Sequence, residues 1–164
     1  MSGSVGGGVK TSLPLGVWRT GPAARATSRA RADADSVKQT AQLLKSAKQP
    51  LLVAGGGVML SQATAELRAL VETFQFPVVT TLTAKGAFPE DNPLSLGPVG
   101  RSGWDCAAQA SREADVILTV GNRFADNHSG NWREGIIYNS LKSKMIHVNV
   151  DPGEIGRNYP AELG

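Results

Sequence analysis

Short runs of apolar residues alternate along the chain with stretches where apolar residues recur every three or four positions. This alternation sets in near Asp35. Val37, Ala41, Leu44 and Ala47 fall on one face of a helix, for which Asp33 or Asp35 can serve as N-cap. Pro50-Leu51-Leu52-Val53-Ala54 then forms a continuous apolar run stopped by Gly55-Gly56-Gly57, the pattern of a strand buried on both faces of a parallel sheet. Ser61 is placed to cap a second helix whose stripe is Ala63, Leu67, Leu70, Val71 and Phe74. Pro77-Val78-Val79-Thr80-Thr81 is β-branched and reads as a second strand. A loop-rich stretch follows from Leu82 to Gly103, with a short strand at residues 94–96. After it come a helix over residues 104–112, a strand at 116–120, a long loop from Gly121 and a last strand at 145–150 closed by Asp151-Pro152. Helices alternating with short buried strands predict an α/β fold, a three-layer, doubly wound, mostly parallel sheet of Rossmann-like topology. A further strand is expected close after Leu163.

Residues 1–32 break the pattern. They hold six glycines, mixed Ser, Thr, Ala and Pro, and no sustained apolar period, which describes a flexible segment. They also hold five basic residues (Lys10, Arg19, Arg25, Arg29 and Arg31) and no acid. Three readings stay open: a linker or arm ahead of the domain, a basic disordered arm, or an Arg-rich organellar targeting peptide. Compact structure is expected over residues 33–164, starting between Asp33 and Val37.

Composition narrows the classes. Hydrophobic residues make up 41% and charged residues 19% of 164, an ordinary globular balance for one domain. No apolar run approaches the roughly 20 residues that span a bilayer, so no membrane partner is expected. The net charge of +3 is lopsided, with five basic residues and no acid in the N-terminal arm and the rest close to neutral, so no nucleic-acid partner is expected either. A single cysteine, Cys106, excludes an internal disulfide and fits a reducing, cytoplasmic setting; it reads as a reactive thiol or as a small packing residue on a helix. His128 and His147 lack metal-ligand spacing, and His147, within a strand, reads as a satisfied core histidine. Trp18, Trp104 and Trp132 are too scattered for a base-stacking platform; the last two read as packing residues.

In an open parallel sheet a ligand lies beyond the carboxyl ends of the strands, where the crossover direction reverses. The residues just after each strand are Gly55-Gly56-Gly57, then Thr81-Leu82 through Lys85-Gly86, then Gly121-Asn122-Arg123-Phe124 with Asp126 behind, then Asn149-Val150-Asp151. Glycines there let backbone N–H groups approach a phosphate. Leu60 stands where the third glycine of G-x-G-x-x-G belongs, so the fingerprint is incomplete. Arg123 reads either as a phosphate ligand or as the partner of Asp126. Asn149 reads either as a ribose ligand or as a cap on the following turn. Jointly the four strand ends point to a nucleotide site, present or ancestral.

The same stretches carry a family resemblance. Lys48-Gln49-Pro50-Leu51-Leu52-Val53-Ala54-Gly55-Gly56-Gly57, Pro77-Val78-Val79-Thr80-Thr81-Leu82, Lys85-Gly86-Ala87-Phe88-Pro89-Glu90, Val116-Ile117-Leu118-Thr119-Val120-Gly121-Asn122-Arg123-Phe124 and Ile146-His147-Val148-Asn149-Val150-Asp151-Pro152 resemble, in order, the central domain of acetolactate synthases. Residues 121–130 also resemble glyoxylate carboligase. The resemblance implies a thiamine-diphosphate enzyme acting on 2-oxo acids. Its N- and C-terminal domains would bind thiamine diphosphate and Mg2+, and its central domain would bind FAD, ADP or nothing. Those other domains are the expected partners, in a homo-oligomer, and residues 33–164 alone are expected to be inactive. The implied FAD or nucleotide residues are Gly55, Gly56, Gly57, Thr81, Leu82, Gly100, Gly121, Arg123, Asp126 and Asn149. Three positions depart from the family: Gly-Met-His-Gly is Gly100-Arg101-Ser102-Gly103, Arg-Phe-Asp-Asp-Arg is Arg123-Phe124-Ala125-Asp126-Asn127, and the ribose acid is Asn149. The alternative is a free-standing nucleotide-binding module without thiamine chemistry.

Overall fold

A computed structural model describes residues 31–164, of which Ala32–Gly164 form one compact unit. The predicted arm, residues 1–32, lies almost wholly outside the described residues. The first described element is α1 (Ala34–Ser46), and of the two candidate caps Asp33 is the one used: its carboxylate accepts from the N–H groups of Asp35 and Ser36 at 3.0 and 2.9 Å. Leu44 is buried as the stripe predicts, whereas Val37, in the first turn of the helix, is 54% exposed.

The strands are β1 (Pro50–Ala54), β2 (Val78–Thr80), β3 (Ser95–Pro98), β4 (Val116–Val120) and β5 (Lys144–Val148). They make one sheet of order β3-β2-β1-β4-β5, parallel at every pairing. The chain runs outward from β1 to β3, then returns to β1's other side, so the switch point lies between β1 and β4. The third strand sits one residue later than its apolar signal, and β5 ends at Val148, leaving Asn149 and Val150 beyond the ladder. At the end of the described residues a single parallel bridge joins Leu163 to Ile146 of β5.

Two helical readings need correction. The glycine run is not a turn: it opens a short helix, α2 (Gly56–Leu60). Ser61 therefore closes α2, its hydroxyl donating back to the Gly57 carbonyl at 2.8 Å, and α3 (Thr64–Phe74) starts from Ala63 with no side-chain cap. The loop after Gly121 likewise holds a short helix, α5 (Asp126–Ser129), while α4 (Asp105–Glu113) occupies its predicted place.

Alternate strand residues feed two cores. Leu52, Ala54, Val78, Leu118 and Ile146 pack under α1, α2 and α3 through Leu44, Val58, Leu67 and Val71. Leu51, Val53, Val79, Ile117 and Met145 pack on the other face against Ala107 of α4 and an aromatic group of Phe124, Tyr138 and Tyr159. Those rings meet edge to face at 5.1–5.6 Å. Burial, followed by the nearby Glu134 and against a hydrogen bond to Ser129, pushes the Tyr159 phenol up to about 12. Among the described residues no helix is long and apolar enough to cross a membrane.

Candidate functional site

A parallel sheet delivers the carboxyl ends of all its strands to one edge, so the predicted residues are brought together there by topology alone. Between β1 and β4 they meet closely. The Gly55 N–H donates to the Val120 carbonyl at 2.8 Å, the Gly57 N–H to the Gly121 carbonyl at 2.9 Å, and the Gly121 N–H to the Val148 carbonyl at 2.8 Å. A Cβ on Gly55 would stand 2.3 Å from the Gly121 oxygen, and one on Gly57 would stand 2.7 Å from the Gly121 Cα. Gly121 itself has φ +62°. These glycines let two backbones touch, and the N–H groups of Gly55 and Gly57 are spent on that clasp. Of the triplet expected to face a phosphate, only Gly56 remains, and Thr83 lies beside it: a Cβ there would stand 2.9 Å from Thr83 Oγ1.

The other predicted residues surround this clasp. Thr81 is buried, its hydroxyl 3.0 Å from that of Thr83, while Leu82 is 45% exposed at the start of a 3-10 helix (Leu82–Ala84). Gly100, at φ +123°, lets its loop rest on α5: a Cβ would stand 2.6 Å from the Asn127 carbonyl, which also accepts from the Arg101 N–H at 2.8 Å. Arg123 is exposed and forms no ion pair among the described residues, so the alternative pairing with Asp126, itself exposed, is not made. Asn149 does cap its turn, accepting from the Asp151 N–H at 3.1 Å, while its amide donates to the Asn122 carbonyl at 3.0 Å. Both ends of that side chain are engaged within the protein.

Asn122, one of the strand-end residues, lies at the centre of this edge, with His147 and His128, which the strand-end reading did not include. The carbonyl of Asn122 accepts from Asn149 and also lies 2.7 Å from His147 Nε2. The Asn122 side chain is buried, its Oδ1 accepting from the Phe124 N–H, its Nδ2 without a partner. His128 is buried with Nε2 unpartnered; burial lowers its pKa, against Asp126, which raises it, and with a smaller lowering from Arg123. No spacing signal marks Asn122 or His128, because their roles come from contacts remote in sequence. His147 is the satisfied core histidine expected from its strand position. Cys106 is exposed; the two tryptophans are 53% and 47% exposed, the Trp104 ring lying over Gly97, where a Cβ would stand 2.7 Å from it, and the Trp132 indole donating to the Phe124 carbonyl at 2.6 Å. Among the described residues no three His, Cys, Asp or Glu side chains group to hold a metal ion. Two surface clefts of about 420 Å3 lie elsewhere, between α1 and residues 162–163 and between α3 and residues 86–90.

A doubly wound parallel sheet with helices on both faces defines the class: a three-layer α/β domain. The particular family follows from comparison. Residues 37–164 match the central domain of thiamine pyrophosphate enzymes, and the chain belongs to that family. It is 43% identical over 127 residues to a probable acetolactate synthase large subunit of Methanocaldococcus jannaschii, covering 77% of this chain and 21% of that protein. It is 40% identical over 136 residues to an acetolactate synthase of Arthrospira platensis (81% and 23%), and 39% over 127 residues to one of Mycobacterium bovis (77% and 20%). The chain thus spans about a fifth of the length of the curated relatives it matches.

Proposed function

We propose that residues 33–164 are the central domain of a thiamine-diphosphate-dependent carboligase or decarboxylase of the acetolactate synthase type, acting on 2-oxo acids. The match of residues 37–164 to the family's central domain carries this reading. Thiamine diphosphate and Mg2+ are bound by the N- and C-terminal domains of the parent, which are the partners of this one. The whole enzyme is a cytoplasmic homo-oligomer. Leu60, Leu141 and Val150, 85–89% exposed here, are side chains that such neighbours would cover.

At the strand ends the residues present fit the diphosphate part of FAD or ADP. The Arg123 guanidinium has no ion pair among the described residues, and the same segment after β4 carries the unpartnered buried atoms Asn122 Nδ2 and His128 Nε2. Gly56, Leu82, Gly100 and Asp126 border the same edge. Arg123 supplies the charge that a diphosphate needs. The ribose end is weaker, since Asn149 is already held by Asn122 and Asp151.

Two measurements test these readings separately. Isothermal titration of the chain with FAD and with ADP is expected to show binding that Arg123→Ala weakens about ten- to a hundredfold, the worth of one charged hydrogen bond, without lowering the unfolding midpoint. Tight binding untouched by this change would move the site elsewhere. Sequencing outward from both ends of the gene, then assaying the encoded protein for acetolactate formation from pyruvate, tests the parent activity. A reading frame lacking Gly-Asp-Gly and both flanking domains would instead support a free-standing nucleotide module.

A further inference from the structure

We propose that His147 is a proton-operated latch joining the turn at residues 121–124 to the segment at residues 151–158. The residue is 1% exposed, and both ring nitrogens meet backbone groups. The Gly156 N–H points at Nδ1 at 3.4 Å, and Nε2 lies 2.7 Å from the Asn122 carbonyl. A backbone N–H can only donate and a carbonyl can only accept, so the ring is neutral with its proton on Nε2. Phe124 packs on it edge to face at 5.3 Å.

A second proton has one place to go, Nδ1, where it would oppose the Gly156 N–H donor to donor. The Gly156 contact then breaks while the bond to Asn122 strengthens. Acidification therefore releases one side of the latch and tightens the other. The freed segment stays tethered at its far end, where the Asn158 amide donates to the carbonyls of Arg123 and Phe124 at 3.1 and 3.3 Å.

The charged and titratable groups on the surrounding elements set where this happens. Glu154, ion-paired with Arg157, and Asp151, whose carboxylate accepts from the Gly153 N–H, lie on the released segment. Arg123 and His128 lie on the segment after β4, Tyr138 and Tyr159 in the aromatic layer; β4 places the uncharged Thr119 opposite the ring. Burial lowers the His147 pKa below the ordinary imidazole value, against the Asn122 bond and Glu154, which raise it. The closed latch thus persists above about pH 6.5 and opens as pH falls through the lower folded value.

The test is amide exchange and ring 15N shifts on the labelled full chain between pH 4.5 and pH 8. At pH 8 the ring is expected as the Nε2–H tautomer. As it gains its second proton, Gly156 exchange, corrected for the intrinsic rate, should rise about fivefold, the worth of one modest hydrogen bond. The Gly121 amide, bonded across β4–β5 to Val148, should hold constant through that step. His147→Gln should abolish the step at Gly156. A Nδ1–H tautomer at pH 8, flat Gly156 exchange through the titration, or loss of the Gly121 amide in parallel would each overturn the latch. So would a ring that stays neutral until the whole fold is lost. These readouts decide the matter on the unmodified chain even if the variant fails to fold.

Discussion

Gly57 shows how a residue can look like a ligand contact and serve the fold. From the sequence, Gly55-Gly56-Gly57 after a buried strand offers backbone N–H groups to a phosphate. In the structure two of the three donate to Val120 and Gly121 instead. Glycine is required because β1 and β4 diverge here by only a backbone's width, a fact set by residues more than 60 positions away and invisible to any local pattern. Gly57→Ala should therefore lower stability by about 1–3 kcal/mol, as overpacking of a tight site typically does, because its Cβ would meet the Gly121 Cα at 2.7 Å. Urea unfolding measures this directly. An unchanged midpoint would show that the contact relaxes freely and that the glycine is kept for some other reason. Gly86 makes a contrast: it has φ +85° and open space around it, so only its backbone conformation resists substitution.

At the scale of elements, the sequence was most legible where one signal dominates. Short runs of apolar and β-branched residues located β1 and β4 to the residue, since strands buried on both faces show no alternation with exposed polar positions; the one polar residue, Thr119, is itself buried. It was least legible where caps compete. Ser61 reads as the start of a helix, but the preceding glycines already form one, and the hydroxyl bonds backward to Gly57. Asp115 is a quieter feature that pattern reading passed over. Its carboxylate accepts from the N–H groups of Lys48 and Gln49 at 2.7 and 3.0 Å, binding the turn after α1 to the head of β4. Burial raises its pKa, but the backbone donors of Lys48, Gln49, Asp115 and Val116 outweigh this and hold it below the ordinary 3.8. A lowered carboxyl stabilises the fold above its unfolded pKa and loses that contribution as pH falls through the folded value. Asp115→Ala should cost about 1 kcal/mol at pH 7, this being a solvent-facing site. The difference from the unsubstituted chain should shrink as pH falls through the lowered folded value. A deficit that persists at acid pH would mean that packing, not the ionised carboxylate, is responsible.

At the scale of the molecule, the alternation of elements made the doubly wound sheet legible, because parallel strands with right-handed crossovers leave few other arrangements. The candidate site was legible as an edge of the sheet but not as a set of contacts. Arg123, Leu82 and Asp126 stand exposed there, while Asn149 and two glycines are taken up by the protein itself. What binds the two core layers together is the sheet they share: α1 and α3 cover one face, α4 and the aromatic group the other. If that shared sheet makes them one cooperative unit, a chain beginning at Ala32 should unfold in a single transition. At ~0.7 kcal/mol per residue its enthalpy near 60 °C should be about 90 kcal/mol. Truncation also removes Trp18, leaving Trp104 and Trp132 as the only indoles. Trp132 bonds Phe124 and Trp104 precedes α4, so fluorescence follows the aromatic face, whereas far-UV circular dichroism is weighted toward α1 and α3, the longest helices. The two signals should trace one superimposable curve, with a midpoint close to that of the 164-residue chain. Fluorescence that changes before or after the dichroism would show that the faces unfold separately. A midpoint well below that of the full chain would show that residues 1–31 contribute to the fold.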